Sequence, residues 1–145
     1  MENTFVMIKQ DGVKKKVFKD VIETFLNNNL EVSNVRITTL DEELVNEHYS
    51  HLLDKDFYPH LKEFMLSGPV ITMTISGDDA VSKVRKIIGA TNPTKAEEGT
   101  IRALYGNKVD TTQNVIHASD SVENAEIEIK RFNDYQKRYI KKILH

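Results

Sequence analysis

The sequence of 145 residues contains no cysteine and no tryptophan, and it has no long hydrophobic run. Without cysteine, disulfides, zinc–thiolate sites and thiol catalysis are all excluded, and a reducing compartment is expected. The apolar stretch at residues 4–8 is too short for the core of a signal peptide, and nothing elsewhere approaches a membrane span. We therefore expect a soluble, cytoplasmic protein without a membrane partner.

Glycine is scarce as well, and its six occurrences are widely separated: Gly12, Gly68, Gly77, Gly89, Gly99 and Gly106. Neither of the glycine-rich motifs that cradle phosphates, GxxxxGKS/T and GxGxxG, is present. Any phosphate binding must therefore rely on side chains. The zinc-protease motif HExxH is also absent, and we interpret His48 and His51 as part of a solvated helix face rather than as metal ligands.

Charge of one sign does not dominate, because 20 Lys and Arg against 22 Asp and Glu leave a net charge of −2. There is therefore no global electrostatic reason to expect a nucleic-acid partner. Two local basic groups exist: residues 14–19 carry four lysines, and residues 130–145 carry six Lys or Arg against Asp134 alone. Such groups are usually solvated faces, and nucleic-acid binding through the basic C-terminus and Phe57 stays an open alternative.

Hydrophobic periodicity divides the chain into alternating strands and helices. Strands are predicted at 4–8, 32–40, 70–76 and 115–117, and helices at 17–26, 39–49, 61–65, 79–89 and from about 122. Thr39 and Glu42 match a capping box, and Asp79 is predicted to cap the helix that ends at Gly89. This order predicts an α/β (α+β) fold in one domain over residues 1–145. The expected architecture is a ferredoxin-like βαββαβ sandwich with a four-stranded antiparallel sheet and a helical insertion after the second strand.

The segment 90–113 fits this pattern poorly, apart from one helical turn predicted near 101–105. An irregular stretch of this length inside a compact domain is uncommon and is often functional. It carries Thr91, Lys95 and Arg102. We therefore expect a long loop at a binding site.

His117 ends the last predicted strand and precedes Ser119, Asp120 and Ser121, which are preferred N-cap residues. A helix N-terminus favours an anion, and neutral imidazole is nucleophilic without a separate base. His117 is thus a candidate phosphoryl acceptor. The alternative is that it is an ordinary strand-end residue.

Phosphoryl transfer also needs cations that hold the negative charge of the transferred group. Lys9 after the first strand, Arg85 within a helix and Arg102 in the long segment are candidates, although each alone would be interpreted as a surface charge. Phe57 and Tyr58 lie in the polar stretch DKDFYPH, so we do not expect core packing to explain the presence of both aromatic residues. They could provide a stacking platform for a nucleobase, and a hydrophobic staple at a helix start is the alternative.

The stretch NVIHASDS at 114–121 matches the signature Asn-x-x-His-(Gly/Ala)-Ser-Asp, and on this motif the chain resembles the nucleoside diphosphate kinase family. Further stretches similar to that family follow in the same order: TFVMIKQDGV (4–13), HYSHLLDKDFY (48–58), SGPVITM (67–73), RKIIGATNP (85–93) and GTIR (99–102). Ordered matches that extend from residue 4 to about residue 132 make chance an inadequate explanation.

The resemblance implies an enzyme that transfers the γ-phosphate of a nucleoside triphosphate to a nucleoside diphosphate, by a ping-pong mechanism with low base specificity. His117 would be phosphorylated transiently, Glu128 would orient its ring, and Tyr49 and Ser119 would support the site. The remaining implied roles are phosphate binding by Arg85, Thr91 and Arg102, sugar binding by Lys9 and Asn114, help by Lys9 near the transferred group, and base stacking by Phe57. Mg²⁺ would bind through the phosphates of nucleotides such as ATP, GTP and GDP. The chain would form a hexamer or a tetramer built from dimers.

The chain departs from the family pattern at several positions outside these site residues. Gln10 and Asp56 replace prolines, Lys15 replaces an arginine, and Ala103-Leu104-Tyr105 replaces Gly-Asp-Phe in a segment, 103–113, that is longer than usual. We expect a looser turn at Gln10 and the loss of a bidentate contact at Lys15. The rival hypothesis from another class is a binding or regulatory module that kept the scaffold without turnover.

Overall fold

The computed structural model describes residues 1–144, and its centre is a four-stranded antiparallel sheet. The strands are β1 (Glu2–Ile8), β2 (Glu31–Thr38), β3 (Val70–Gly77) and β4 (Ile116–Ala118), arranged in the order β2-β3-β1-β4. β1 pairs with β3 along its whole length. The short β4 pairs with the end of β1 and sets His117 opposite Met7.

Seven α-helices surround the sheet within residues 1–144, and none of them is both long and apolar enough to cross a membrane. They are α1 (Gln10–Lys14), α2 (Phe18–Asn27), α3 (Glu42–His48), α4 (Tyr58–Met65), α5 (Ala80–Ile88), α6 (Ile101–Tyr105) and α7 (Val122–Leu144). Single 3-10 turns lie at Ser50–Leu52 and Pro93–Lys95. With α3 and α4 inserted between β2 and β3, this order confirms the predicted ferredoxin-like fold.

Both faces of β1 are covered, which explains why its sequence is a continuous apolar run rather than an alternating one. Phe5 and Met7 pack on one face, in a cluster that includes residues of α3, α4 and α7. Val6 and Ile8 pack on the other face, in a cluster that includes residues of α2 and α5. The residues that directly follow β1 are therefore held on a strand that is buried from both sides.

Two predicted helix caps differ from the structure. The side chain of Asp41 caps α3 by accepting a hydrogen bond from the Leu44 backbone N–H at 2.8 Å, so the capping box assigned to Thr39 is wrong. Asp79 does precede α5, but its φ of 51° is left-handed and its side chain makes no capping hydrogen bond. Capping by a side chain normally requires an extended N-cap backbone, which Asp79 does not have.

A tight turn before β4 fixes the direction in which the site residues point. Val115 has a φ of 64°, and the Ile116 N–H donates to the Asn114 carbonyl oxygen at 2.8 Å. Such a γ-turn costs a β-branched residue on the order of 1–3 kcal/mol. Helix α1 supports it, because the Asp11 carboxylate accepts from the Val115 N–H at 3.1 Å. A Cβ at Gly12 would lie 2.6 Å from the Val115 carbonyl oxygen, so this close approach requires glycine.

Candidate active site

His117 lies on β4 with its side chain 22% exposed, and its ring is bonded to a carboxylate. Its Nε2 is 2.6 Å from Oε1 of Glu128, and the Ser119 hydroxyl donates to the same oxygen at 3.0 Å. Because a carboxylate can only accept, the proton of the neutral ring lies on Nε2, and Nδ1 keeps its lone pair. The chain reverses direction after β4, where the Ser121 hydroxyl accepts from the Asn124 N–H, and α7 then returns Glu128 to His117.

Lys9 and Asn114 form a buried hydrogen-bonded pair beside the histidine. The Lys9 ammonium donates to Oδ1 of Asn114 and to the Thr112 carbonyl oxygen, both at 3.0 Å. The Asn114 amide donates in turn to the Thr91 carbonyl oxygen at 3.0 Å. Burial lowers the pKa of Lys9 to about 8, and the nearby Asp11 carboxylate opposes this shift. The ammonium is therefore desolvated and already oriented when a ligand arrives.

The two arginines differ in how they are held. Arg102 on α6 is buried, and its guanidinium donates to the carbonyl oxygens of Ile116 at 2.6 Å and Gly89 at 3.0 Å. The expectation of an ordinary surface charge is therefore wrong for Arg102. Burial, and after it the positive charge of Arg85, together lower its pKa to about 10. Arg85 on α5 is exposed, and within residues 1–144 its guanidinium makes a single hydrogen bond, at 3.4 Å to the Ala118 carbonyl oxygen.

These residues line a single cavity of about 790 Å³, within the range typical of small-molecule sites. The candidate residues on its wall are Lys9, Tyr49, Phe57, Arg85, Thr91, Arg102, Asn114, His117 and Glu128. Ser119 is fully buried behind Glu128 and does not reach the wall. The long segment 90–113 contributes Thr91, Arg102, Thr111 and Thr112, whereas Lys95 is not on the wall.

The aromatic pair separates into one exposed and one buried residue. Phe57 is 49% exposed at the cavity mouth, just before α4. Tyr58 is in the core, and its hydroxyl donates to Oδ1 of Asn46 at 2.7 Å, so the expectation that core packing does not explain it is wrong. Tyr49 is largely enclosed, with its hydroxyl 3.8 Å from the Met65 sulfur, and burial raises its pKa.

Sequence reasoning missed His48, which is buried next to His117. The two ring centroids are 4.8 Å apart with the rings nearly perpendicular, and Arg131 lies 2.9 Å from Nδ1 of His48. The interpretation of His48 as part of a solvated helix face is therefore wrong, whereas His51 is exposed. The available signal was helical spacing, because Leu44 and Val45 precede His48 by four and three residues and define the buried face of α3.

Two of the departures have a clear structural consequence. Gln10 is buried, and its amide donates to the carbonyl oxygens of Met65 at 2.6 Å and Gly68 at 3.4 Å. The turn at Gln10 is therefore anchored to the end of α4, and the expectation of a looser turn is wrong. Lys15 makes one contact of the kind an ammonium can make, donating to the Tyr105 carbonyl oxygen at 2.6 Å.

Much of the basic C-terminal group is neutralised within the chain. Lys130 pairs with Asp134 at 2.6 Å, Lys142 lies 3.4 Å from Asp41, and Arg138 lies 3.9 Å from the same carboxylate. These pairs weaken the electrostatic attraction that nucleic-acid binding would need. The alternative of a nucleic-acid face on α7 thus receives no support from the charge arrangement.

Comparisons with known proteins agree over nearly the whole chain. The sequence profile described as "Nucleoside diphosphate kinase" matches residues 2–137. The nucleoside diphosphate kinase of Methanocaldococcus jannaschii is 46% identical over 131 residues, which is 90% of this chain and 92% of that protein. That of Acetivibrio thermocellus is 43% identical over 132 residues, which is 91% of this chain and 96% of that protein.

Solved structures give the same result at the level of the fold. The crystal structure of the nucleoside diphosphate kinase from Encephalitozoon cuniculi superposes with a TM-score of 0.86 at 45% identity, covering 90% of this chain and 88% of that one. The enzyme from Halobacterium salinarum, solved in complex with CDP, superposes with a TM-score of 0.85 at 41% identity, covering 90% and 86%.

The ferredoxin-like fold places a histidine–carboxylate pair and the cations Lys9, Arg85, Arg102 and Arg131 around one cavity, and this arrangement is that of a phosphotransferase. Within that class, the chain belongs to the nucleoside diphosphate kinase family. It is an enzyme that transfers the γ-phosphate of a nucleoside triphosphate to a nucleoside diphosphate through a phosphohistidine. Kinases of this family generally use a divalent cation. The rival hypothesis of a scaffold without turnover is thereby set aside.

Proposed function

We propose that His117 is the histidine that carries the phosphoryl group, and that Nδ1 is the attacking atom. The observation that supports this most directly is the 2.6 Å contact between Nε2 and the Glu128 carboxylate. It leaves the lone pair of Nδ1 unprotonated. In the first half-reaction a bond forms between Nδ1 and the γ-phosphorus as the bond to the leaving diphosphate oxygen breaks, and the electron pair stays with the diphosphate. In the second half-reaction a terminal oxygen of the acceptor diphosphate bonds to the same phosphorus as the bond to Nδ1 breaks, and that electron pair returns to Nδ1.

Glu128 acts as a positioning residue in this scheme. Positive charge grows on the imidazole as Nδ1 bonds to phosphorus, and the carboxylate stabilises that charge through the Nε2–H. The hydroxyl of Ser119, bonded to the same Oε1, holds the carboxylate in place. Tyr49 supports the site as a partly buried part of the cavity wall, which it shares with Glu128.

Different cationic and polar side chains bind different parts of the nucleotide. Arg85, Thr91 and Arg102 bind the phosphates, while Lys9 and Asn114 bind the sugar hydroxyls. Lys9 lines the same cavity as His117, and its ammonium would also help neutralise the transferred phosphoryl group. Arg102 is held by two backbone carbonyls, so it offers charge in a fixed place at little reorganisation cost.

Phe57 stacks on the base. An exposed ring at the cavity mouth offers a π face to any base, and stacking discriminates weakly among bases. We therefore propose low base specificity, with ATP, GTP and GDP among the substrates.

Mg²⁺ is the divalent cation that we propose. Among residues 1–144 the only carboxylates on the cavity wall are Asp120 and Glu128, and Glu128 is bonded to His117. Mg²⁺ prefers oxygen ligands and is commonly held by substrate phosphates with few protein ligands. The residues present fit a Mg²⁺ held through the nucleotide phosphates, where it would neutralise part of their charge.

We further propose that residues 1–145 form one cytoplasmic domain that assembles as a homo-oligomer, a hexamer or a tetramer of dimers. Strand β2 lies at the edge of the sheet, and Val35 and Ile37 on it are exposed. Exposed edge strands are templates for pairing with another chain. Sedimentation equilibrium would measure the number of subunits.

One labelling experiment tests the assignment of His117. We expect incubation with γ-labelled ATP to produce a protein-bound phosphate that is acid-labile, base-stable and discharged by added GDP. The label should be lost in His117→Asn and retained in His60→Asn, which alters an exposed histidine outside the cavity. Labelling of His117→Asn at the wild-type level would contradict the proposal.

A further inference from the structure

His48 is the titratable residue closest to the nucleophile that the proposed mechanism does not use. It is 7% exposed, and its ring meets that of His117 at 81° with the centroids 4.8 Å apart. One ring nitrogen of His48, one of His117 and one carboxylate oxygen of Glu128 lie within 4.8 Å of one another. We propose that His48 is a further catalytic residue, which donates a hydrogen bond from Nε2–H to the phosphoryl group as it moves to and from His117. This inference rests on the proposed role of His117.

Arg131 determines which nitrogen of His48 carries the proton. Nη1 of Arg131 lies 2.9 Å from Nδ1 of His48, and a guanidinium can only donate. Nδ1 must therefore accept, which makes the ring uncharged and leaves its proton on Nε2. His48 lines the cavity, and its Nε2 makes no hydrogen bond with any group in residues 1–144, so the N–H is available to a ligand.

The surroundings of His48 favour the uncharged ring. The pKa of His48 lies well below its usual value, mainly because the ring is buried, and in addition because a protonated His117 and the charged Arg131 would repel a charged His48 ring. The charged or titratable groups around it come from four parts of the chain: Glu47, Tyr49 and His51 near α3, His117 on β4, Glu128 and Arg131 on α7, and Lys9 after β1.

An uncharged donor suits a position against the nucleophile. A protonated His48 would repel the positive charge that grows on the His117 ring when Nδ1 bonds to phosphorus. A neutral N–H stabilises the phosphoryl oxygens without that repulsion. Arg131 is the positioning residue in this arrangement, and it is itself anchored at 3.5 Å from Glu47.

The test compares two replacements of His48. His48→Phe keeps an aromatic ring that can pack against Tyr49 and Phe132 but removes the N–H. His48→Gln keeps a side-chain N–H donor at a similar reach. We expect His48→Phe to slow single-turnover phosphorylation of the enzyme by about 10²-fold, as removal of one oxyanion donor does, with KM for the nucleotide nearly unchanged. His48→Gln should recover part of the lost rate.

A spectroscopic measurement on the wild-type enzyme keeps the test independent of whether the variants fold. We expect ¹⁵N NMR of the imidazoles to find His48 protonated on Nε2, and the Nε2–H signal to shift when ATP phosphorylates the enzyme. Arg131→Leu should shift His48 toward a mixture of tautomers. Arg138→Leu is the control, because Arg138 lies on the same helix but faces Asp41 and Glu43.

Each outcome decides for or against the role of His48. A wild-type phosphorylation rate in a folded His48→Phe, or an Nε2–H signal unmoved by phosphorylation, would overturn the inference and leave the role of His117 intact. Failure of the proposed function itself would be recognised separately, because His117→Asn would then still become labelled. A slowed His48→Phe whose label remains on His117 supports both.

Discussion

The two walls of the cavity differ in how their residues are held in place. The sheet wall, formed by Lys9, Asn114, His117 and Glu128, is tied together by side-chain hydrogen bonds of 2.6–3.0 Å that link residues from distant parts of the chain. The outer wall, formed by Phe57, His51, Thr111 and Thr112, is more exposed. On the proposed assignment, the transferred phosphoryl group meets the sheet wall at His117, whereas the base, which varies among substrates, meets the outer wall at Phe57. A rigid site for phosphate and a tolerant site for the base follow from this division.

The sheet wall and the residues that support it contain energetically unfavourable features, and other parts of the fold compensate for them. A buried ammonium at Lys9, a buried guanidinium at Arg102 and a left-handed valine at position 115 are each unfavourable in isolation. The core of β1 and the close contact at Gly12 keep them in place. Local opening should therefore begin at the outer wall, where little buried surface opposes it.

Removing Glu128 should give the largest loss on the sheet wall short of removing His117. We expect Glu128→Ala to lower the rate of enzyme phosphorylation by about 10²–10⁴-fold, because the ring loses both its orientation and the partner of Nε2–H. Stopped-flow measurement of a single turnover would give the rate. Glu126→Ala, an exposed glutamate on the same helix, should be indistinguishable from wild type.

Glu128→Gln separates the two contributions. It keeps an oxygen that can accept from Nε2–H but removes the charge, so a rate between those of wild type and Glu128→Ala is expected. A wild-type rate in Glu128→Ala would mean that the sheet wall does not orient the nucleophile through this contact.

The buried ammonium of Lys9 should make the stability of the fold depend on pH. Its pKa of about 8 in the folded protein lies below the usual value of 10.5, so the unfolded chain binds more protons between these values. The penalty of burying the charge is complete below pH 8 and is relieved as pH rises toward 10.5. We expect the free energy of unfolding of the wild type to rise relative to Lys9→Met by about 2–3 kcal/mol between pH 7 and pH 10.

Urea unfolding of both proteins at these two pH values would measure the difference. Lys86→Met, at an exposed lysine of α5, is the matched control and should follow the wild type. A constant difference between wild type and Lys9→Met across the range would mean that Lys9 is solvated in the folded protein.

On the outer wall, Phe57→Ala should weaken nucleotide binding by about 1–3 kcal/mol, the range for loss of base stacking. Catalysis at saturating nucleotide should change little, because the proposal assigns Phe57 to the base and gives the phosphates to Arg85, Thr91 and Arg102. Isothermal titration with ADP, GDP and CDP would give the three affinities. Phe18→Ala, at a partly exposed phenylalanine outside the cavity, provides the control, and unchanged affinity in Phe57→Ala would remove the base platform.

Some features of the fold and of the site could be predicted from the sequence, and others could not. The fold was predictable because the apolar runs of the strands and the periodic stripes of the helices report burial directly. His117 was predictable because its motif is contiguous. The burial of His48, Tyr58 and Arg102 was not predictable. The sequence around a polar residue does not show whether it is buried, because the groups that pack against it come from elsewhere in the chain.

Local patterns also failed where two neighbours offered the same chemistry. Thr39 and Asp41 are both good N-cap residues, and only the observed start of α3 at Glu42 distinguishes them. The longer segment 103–113 could be identified as unusual, but its internal bonds depend on Asp110, whose partners include His60 on α4.

The smallest effect of a substitution is expected at Asp110, which forms hydrogen bonds with Thr112 of the outer wall. Hydrogen bonds from the Thr112 hydroxyl and from His60 lower the pKa of Asp110 to about 2, so its contribution to stability is present above the usual carboxyl pKa and is lost as pH falls toward 2. Because the side chain is partly exposed, we expect Asp110→Asn to cost less than about 1 kcal/mol in global stability. The Thr112 backbone N–H donates to Oδ1 of Asp110 at 3.2 Å. In Asp110→Asn, hydrogen exchange at this amide should therefore become faster at neutral pH, whereas exchange at the β1 amides should not change. Asp134→Asn, which breaks an exposed ion pair far from the cavity, should leave both unchanged. Equal quickening at β1 would mean that the outer wall is not the separate, weakly held unit that its contacts imply.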